Sequence, residues 1–264
     1  SALETVMTTL HAGGKFGGNG YIKATGGLHG VGASVVNALS IYTRAEIHRD
    51  GGKYIQEYSK GKKKVAVKKV SSSKLNGTII SFEPDQEIFG DIKFDWNTVV
   101  SHIRQQAYLV KNLKISIIDA REIDILSSLG GKTSKLDTGD YFYFKELELE
   151  LPSTSFYFEG GITSLVKYYN KFQKPIQNNI FYIEKEIDKV GVEIALQYVD
   201  DIVDRIVPFA NNIYTSGGGT HVTGFKTALT RTLNTYCKKN EMMKESEGGF
   251  TGEDVLEGLT AVIS

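Results

Sequence analysis

The chain has 264 residues, and its 31 basic side chains balance 31 acidic ones, so the formal charge is zero. With 41% hydrophobic and 23% charged residues it has the make-up of a globular protein with enough apolar material for a sizeable core, which excludes a wholly disordered chain. No run of 18 apolar residues offers a membrane helix, no signal-peptide pattern opens the sequence, and the lone cysteine, Cys237, excludes an internal disulfide and a thiolate zinc site. A reduced, cytoplasmic compartment fits this composition.

Ser1-Ala2-Leu3-Glu4 reads as a capping box, and Leu3, Val6, Met7 and Leu10 follow the spacing of a helix with one buried face, which should stop at Gly13-Gly14. A glycine-rich loop then runs to about Gly30, and 33–40, with Val35, Val36 and Leu39 on one side, predicts a second helix. From Tyr42 the texture changes to short alternating runs, 42–49, 53–59, 64–70 and 77–83, separated by turn signals at Asp50-Gly51 and Ser59–Gly61, which predicts an antiparallel meander. The basic stretch from Lys60 to Lys69 falls inside it and reads as a solvated strand pair.

Residues 96–112 return to helical spacing, 114–119 to strand spacing, and 127–138 read as a loop or hairpin excursion. A helix over 161–172 ends near Lys174-Pro175. A charged turn at 184–189 precedes strands over 190–199 and 202–209, then the small-residue loop 215–220 and a long helix over 220–239, with Phe225, Leu229 and Leu233 along one side. A domain boundary is placed near Glu184, dividing 1–184 from 185–264.

The chemically informative segment is Gly26-Gly27-Leu28-His29-Gly30-Val31-Gly32, directly ahead of the second helix. Glycines let the backbone approach a ligand closely, and the bare N–H groups of a first helical turn bind phosphate. Lys15 adds a point charge nearby. Two rival motifs fail on spacing. A Walker A loop needs a glycine where Leu126 precedes Gly131-Lys132-Thr133, and a dinucleotide fingerprint needs Gly-x-Gly-x-x-Gly after a strand, whereas the order here is Gly-x-x-Gly-x-Gly after a loop. By themselves the glycines are equally compatible with a packing corner.

Longer words decide more. HAGGKF (His11–Phe16), GGLHGVGASVVNALS (Gly26–Ser40), Asn76-Gly77-Thr78, YFEGGI (Tyr157–Ile162), PIQNNIFY (Pro175–Tyr182), NNIYTSGGGTHVTGFK (Asn211–Lys226), TRTLN (Thr230–Asn234) and GEDVLEGLTAVIS (Gly252–Ser264) stand in order along nearly the whole chain. This set closely resembles the ATPase region of the gyrase B family of bacterial type II topoisomerases; topoisomerase IV carries nearly the same words. The resemblance implies an α+β fold: a GHKL ATP-binding domain, an antiparallel sheet layered with helices, followed by part of a transducer domain of the ribosomal protein S5 domain 2-like kind.

The resemblance also implies ATP with Mg²⁺ as cofactors, DNA and gyrase A as partners in an A2B2 heterotetramer, and ATP-driven homodimerisation. It places Gly14, Lys15 and Tyr21 in a lid over ATP, and Gly27, Leu28, His29, Gly30, Val31 and Gly32 in the triphosphate loop. It sets Thr78 beside the adenine pocket and Arg49 at an inhibitor-contacting rim. Lys226, Arg231, Lys238 and Lys239 are candidates for the wall of a DNA-sized cavity. His11 and His221 are read as structural hydrogen bonders.

Tyr21 lies one residue further from the glycine loop than is usual, and 122–156 is longer than the usual connection, which reads as an inserted hairpin. The family's general-base glutamate, magnesium-binding asparagine and adenine-reading aspartate would lie before Ser1, and its switch lysine after Ser264. No catalytic or metal-ligating residue is therefore expected within these 264 residues, which alone should bind ATP poorly and turn over none. The alternatives are the corresponding polypeptide of topoisomerase IV, working in decatenation, and a non-enzymatic nucleotide-binding dimerisation module of the same fold.

Overall fold

The computed structural model describes residues 1–13, 29–121, 151–188, 190–243 and 248–264. These form two compact units, one of residues 1–94 with 208–223 and Ser264, the other of 95–207 with 224–263.

The first unit begins with α1 (Ala2–Thr8) and α2 (Gly32–Ala38), followed by β1 (Ser40–Arg49), β2 (Gly52–Ser59), β3 (Lys62–Lys63), β4 (Lys68–Ser72), β5 (Gly77–Pro84) and the short α3 (Gln86–Phe89). Ser1 caps α1 by accepting from the Glu4 N–H at 3.2 Å. The Glu4 carboxylate instead takes a hydrogen bond from Lys63 Nζ at 2.7 Å, which holds it below its usual pKa. The capping box is thus only half made. Of the four apolar residues expected on one buried face, Met7 is buried with Ala45 and Tyr58, and Leu3 packs beside them. Val6 and Leu10 remain 36% and 59% exposed, Leu10 lying beyond the helix, which stops at Thr8. Asn37 of α2 donates to the Met7 carbonyl at 2.9 Å and ties the two helices together.

The strands are antiparallel, in the order β3-β2-β1-β5, with β4 on the same edge of β2 as β3. A simple meander would set the last strand beside the third. Here β5 returns to the other edge of β1, with Ile47 opposite Thr78 and Thr43 opposite Phe82. The strand expected over 64–70 is also broken in two, its central residues 65–67 lying outside both β3 and β4.

One face of this sheet holds a buried charged group. Arg44, Glu46 and His48 alternate along β1, and Lys53 lies opposite His48 on β2. The Glu46 carboxylate receives Arg44 at 3.1 Å, His48 Nε2 at 2.7 Å and Lys53 Nζ at 3.3 Å, and His48 Nδ1 meets Ser73 Oγ at 2.6 Å. Arg44, Glu46, His48 and Lys53 are each less than a tenth exposed. The opposite face carries Ala45 and Tyr58, whose phenol is pushed up to about 12 by burial.

Asp85 caps α3, accepting from the Glu87 N–H at 3.0 Å, and also receives Lys60 Nζ at 2.8 Å. Lys60 and that amide hold its carboxyl below the usual range. Such a group stabilises the fold fully above the unfolded pKa of about 4 and loses its contribution as pH falls through the lowered value. Asp85→Asn should therefore lower stability at neutral pH, and mutant and wild type should converge in acid. Urea titrations at neutral pH and at about pH 2 check this.

The second unit contains α4 (Trp96–Leu109), the β6–β7 pair (Ile115–Ile118, Ser153–Phe156), α5 (Ile162–Tyr169), β8 (Phe181–Ile187), β9 (Val190–Tyr198), the start of β10 (Arg205–Ala210), most of α6 (Thr220–Lys239), α7 (Gly252–Leu256) and β12 (Leu259–Ile263); β11 (Ile213–Tyr214) pairs with the end of β10 in the first unit. Asp95 caps α4 through the Thr98 N–H at 2.7 Å. A complete capping box, Thr251 with Asp254, opens α7.

Strand β9 lies between β8 and β12. Ile194, Leu196 and Tyr198 of β9 and Leu259, Ala261 and Ile263 of β12 share one face and pack with Phe225 and Leu229 of α6. The other face holds Ala195, Gln197, Thr260 and Val262 and is covered by α5. There Thr260 donates to Asn170 Oδ1 (2.7 Å), Asn170 Nδ2 to Gln197 Oε1 (3.0 Å), and Gln197 Nε2 to the Gln177 carbonyl (3.0 Å). Glu184 lies in the middle of β8, whose pairing with β9 runs unbroken from Phe181–Leu196 to Ile187–Val190. The charged turn expected at 184–189 is therefore mostly strand.

Candidate nucleotide-binding site

The described part of the glycine loop is His29-Gly30-Val31-Gly32. Gly30 has φ of 60°, the left-handed region that glycine enters at no steric penalty. The chain turns there and enters α2 with Val31 as its N-cap residue, and among the described residues no side chain caps that first turn. Only Ser34 adds a local bond, donating from Oγ to the Val31 carbonyl at 3.0 Å. The start of α2 therefore presents main-chain N–H groups, and a Cβ added to Gly32 meets no described atom within 4 Å.

His11, just past α1, anchors the loop from behind. Its Nδ1 lies 2.9 Å from the His29 carbonyl, so in the tautomer with the proton on Nδ1 it donates to that oxygen. Sequence reading marks His11 as a structural hydrogen bonder but carries no signal for its partner. His221 likewise meets Thr215 Oγ1 at 3.2 Å.

Thr78 and Arg49 sit at one end of the sheet. Thr78 is opposite Ile47, and Arg49 is two residues further along β1, so strand alternation puts all three on the face where Met7 packs. Both are exposed, and Arg49 meets Asp50 at 3.2 Å. Gly14, Lys15, Tyr21, Gly27 and Leu28 lie outside the described residues, as does 122–150, most of the expected inserted hairpin.

A cavity of about 350 Å³ opens between α2 and the segment after β5, with Val35, Leu39, Phe82, Phe89, Ile92 and Phe94 in its walls. It contains none of the sequence-predicted site residues, and its lining is too apolar for a polyphosphate. The turn at His29–Gly32 fits an anion far better, since it offers N–H donors that no side chain among the described residues caps. Among the described residues, no group of three or more His, Cys, Asp or Glu is arranged to hold a metal ion.

Comparison with known proteins supplies the class. The fold aligns with the 43K ATPase domain of Thermus thermophilus gyrase B, solved with an aminocoumarin, at a TM-score of 0.73 and 31% identity over 99% of this chain and 60% of that one. It aligns with the topoisomerase IV ATP-binding domain of Francisella tularensis, solved with a small-molecule inhibitor, at 0.66 and 26% identity over 99% and 61%. The chain thus has the α+β, GHKL-type fold of type II topoisomerase ATPase regions.

Residues 161–264 match the family model described as DNA gyrase B. The whole chain is 44% identical to DNA gyrase B of Halalkalibacterium halodurans, covering 100% of this sequence and 37% of that one. The chain spans little more than a third of the length of the curated relatives it matches.

Proposed function

We propose that this chain is part of the ATPase subunit of a type II DNA topoisomerase, in the gyrase role: coupling ATP binding and hydrolysis to negative supercoiling. The observation that carries the reading is the turn at His29–Gly32, which no described side chain caps, set within a sequence 44% identical to a gyrase B. ATP with Mg²⁺ supplies the phosphoryl chemistry. Gly30 lets the main chain turn, the first N–H groups of α2 hold phosphate oxygens, and His11 fixes the loop through the His29 carbonyl. By resemblance, Gly14, Lys15 and Tyr21 belong to the lid over ATP and Gly27 and Leu28 to the triphosphate loop, with Thr78 beside the adenine pocket and Arg49 at its inhibitor-contacting rim. No residue among these 264 is assigned to magnesium binding or water activation, and we propose that they alone turn over no ATP.

In this reading an ATP-binding part is followed by a transducer part, expected to divide near Glu184. DNA, gyrase A and a second copy of the same polypeptide are its partners. Lys226, Arg231, Lys238 and Lys239 of α6 face DNA, and the compartment is cytoplasmic. Among the described residues no helix is long and apolar enough to cross a membrane. The likeness to a topoisomerase IV domain keeps decatenation as a second reading. A supercoiling assay on the intact parent with its partner protein separates them: ATP-dependent introduction of negative supercoils supports the gyrase role, and decatenation without supercoiling supports the other.

Gly30→Val tests the phosphate loop. Forcing an L-residue into the left-handed region costs about 1–2 kcal/mol, more for a branched side chain. Calorimetry on the intact parent should show ATP affinity down by roughly tenfold or more. Unchanged affinity would remove the loop from the nucleotide site.

A further inference from the structure

Between Lys60 and Lys74 the sequence places seven lysines and no acidic residue, in a chain whose total charge is zero. Two of the seven are committed to carboxylates, Lys60 to Asp85 and Glu87 and Lys63 to Glu4. Lys69 lies 6.0 Å from the ring of Tyr54. Lys62, Lys64, Lys68 and Lys74 are exposed, and none has an ion-pair partner among the described residues.

The register sorts them further. Lys62 pairs with Ser59 and Lys68 with Ile55, while Lys64 N–H continues the ladder by donating to the Glu57 carbonyl at 2.8 Å. Ser59, Glu57 and Ile55 are alternate residues of β2, so Lys62, Lys64 and Lys68 project from one face along one sheet edge. Each step of two residues is about 7 Å, roughly twice the 3.4 Å axial rise per phosphate on one DNA strand. Val65 and Val67 are also exposed between them; Glu57 stands opposite Lys64 in this register, and its carboxylate accepts from the Tyr42 hydroxyl at 2.9 Å.

We propose that this edge is a contact surface for the phosphate backbone of duplex DNA, separate from the α6 cations. Regularly spaced ammonium groups without partners match a regular polyanion, and they carry no shape that would read bases. The surface therefore adds affinity and not sequence preference. The inference rests on the DNA-handling role proposed above, and its test separates the two.

The test uses the intact parent with its partner protein, a labelled linear duplex and a KCl series followed by fluorescence anisotropy. Each phosphate contact contributes about 0.9 to the slope of log K against log salt. In the triple variant Lys62→Gln, Lys64→Gln, Lys68→Gln the slope should shrink by about 2–3, equally for unrelated sequences. A control with Lys114→Gln, Lys167→Gln and Lys185→Gln should keep it. An unchanged slope in the triple variant, or an equal drop in the control, overturns the proposal while leaving the topoisomerase reading in place. Wild-type protein that binds no duplex in a salt-dependent way overturns both.

Discussion

Glu46→Ala should be the most damaging substitution in the first unit. The carboxylate is the shared acceptor for Arg44, His48 and Lys53, and the alanine variant leaves those side chains buried after removing the charge they converge on. Removing one partner of a buried ionic group typically costs 3–5 kcal/mol, far above the 0–1 kcal/mol of an exposed pair. Glu46→Gln keeps the shape and one acceptor oxygen and should cost visibly less. Denaturant unfolding of the two variants measures this. A loss under about 1 kcal/mol for the alanine variant would mean that the cations find water instead.

The second large effect is expected at Gly258, in the turn between α7 and β12. It has φ of 67°, and a Cβ there would sit 2.4 Å from the Val199 carbonyl oxygen and 2.8 Å from that of Asp201. Both are main-chain atoms, and Val199 N–H already donates to the Gly258 carbonyl at 2.8 Å, so neither side can yield. Gly258→Ala should cost about 3 kcal/mol or more, from left-handed strain plus collision, lowering Tm by roughly 6–12 °C. Gly51 is the comparison: its φ of 72° is similar, but nothing described lies within 4 Å of an added Cβ. Gly51→Ala should cost only about 1 kcal/mol. Equal losses at the two positions would show that conformation alone matters and that the close carbonyls do not.

These two sites also mark where sequence reading succeeds and where it stops. Local periodicity finds the helices at 96–109 and 220–239 and the strands of β1, β2 and β9, because each carries its signal within its own residues. Pairing is a non-local choice, and nothing in 77–84 says that this strand leaves its neighbour and crosses to β1. Arg44, Glu46 and His48 look like a solvent-facing row; they are buried because their polar groups meet at the Glu46 carboxylate, which single-residue polarity cannot reveal. Val6 and Leu10 look like core and are not, Leu10 lying beyond the end of α1.

In the site, the glycine loop is legible as an anion turn from residue type and position. Thr78 and Arg49 are reachable only through resemblance, because an exposed threonine and arginine at strand ends carry no chemical signature. The register of β1 and β5 is what sets them on one face. Sequence similarly shows the lysine run but not its spacing, which depends on the broken third strand.

The row of side chains under α5 has a direction. Thr260 gives to Asn170, Asn170 to Gln197, and Gln197 to a peptide oxygen of Gln177. The three side chains could in principle be rearranged by turning an amide over, but the last recipient is fixed in the backbone and can only accept. Any acid introduced at Asn170 would pass its conflict along the row until it reached that oxygen and stayed there. Change at these positions is therefore tolerated as a matched set, so drift in this part of the protein should be visible as substitutions that arrive together.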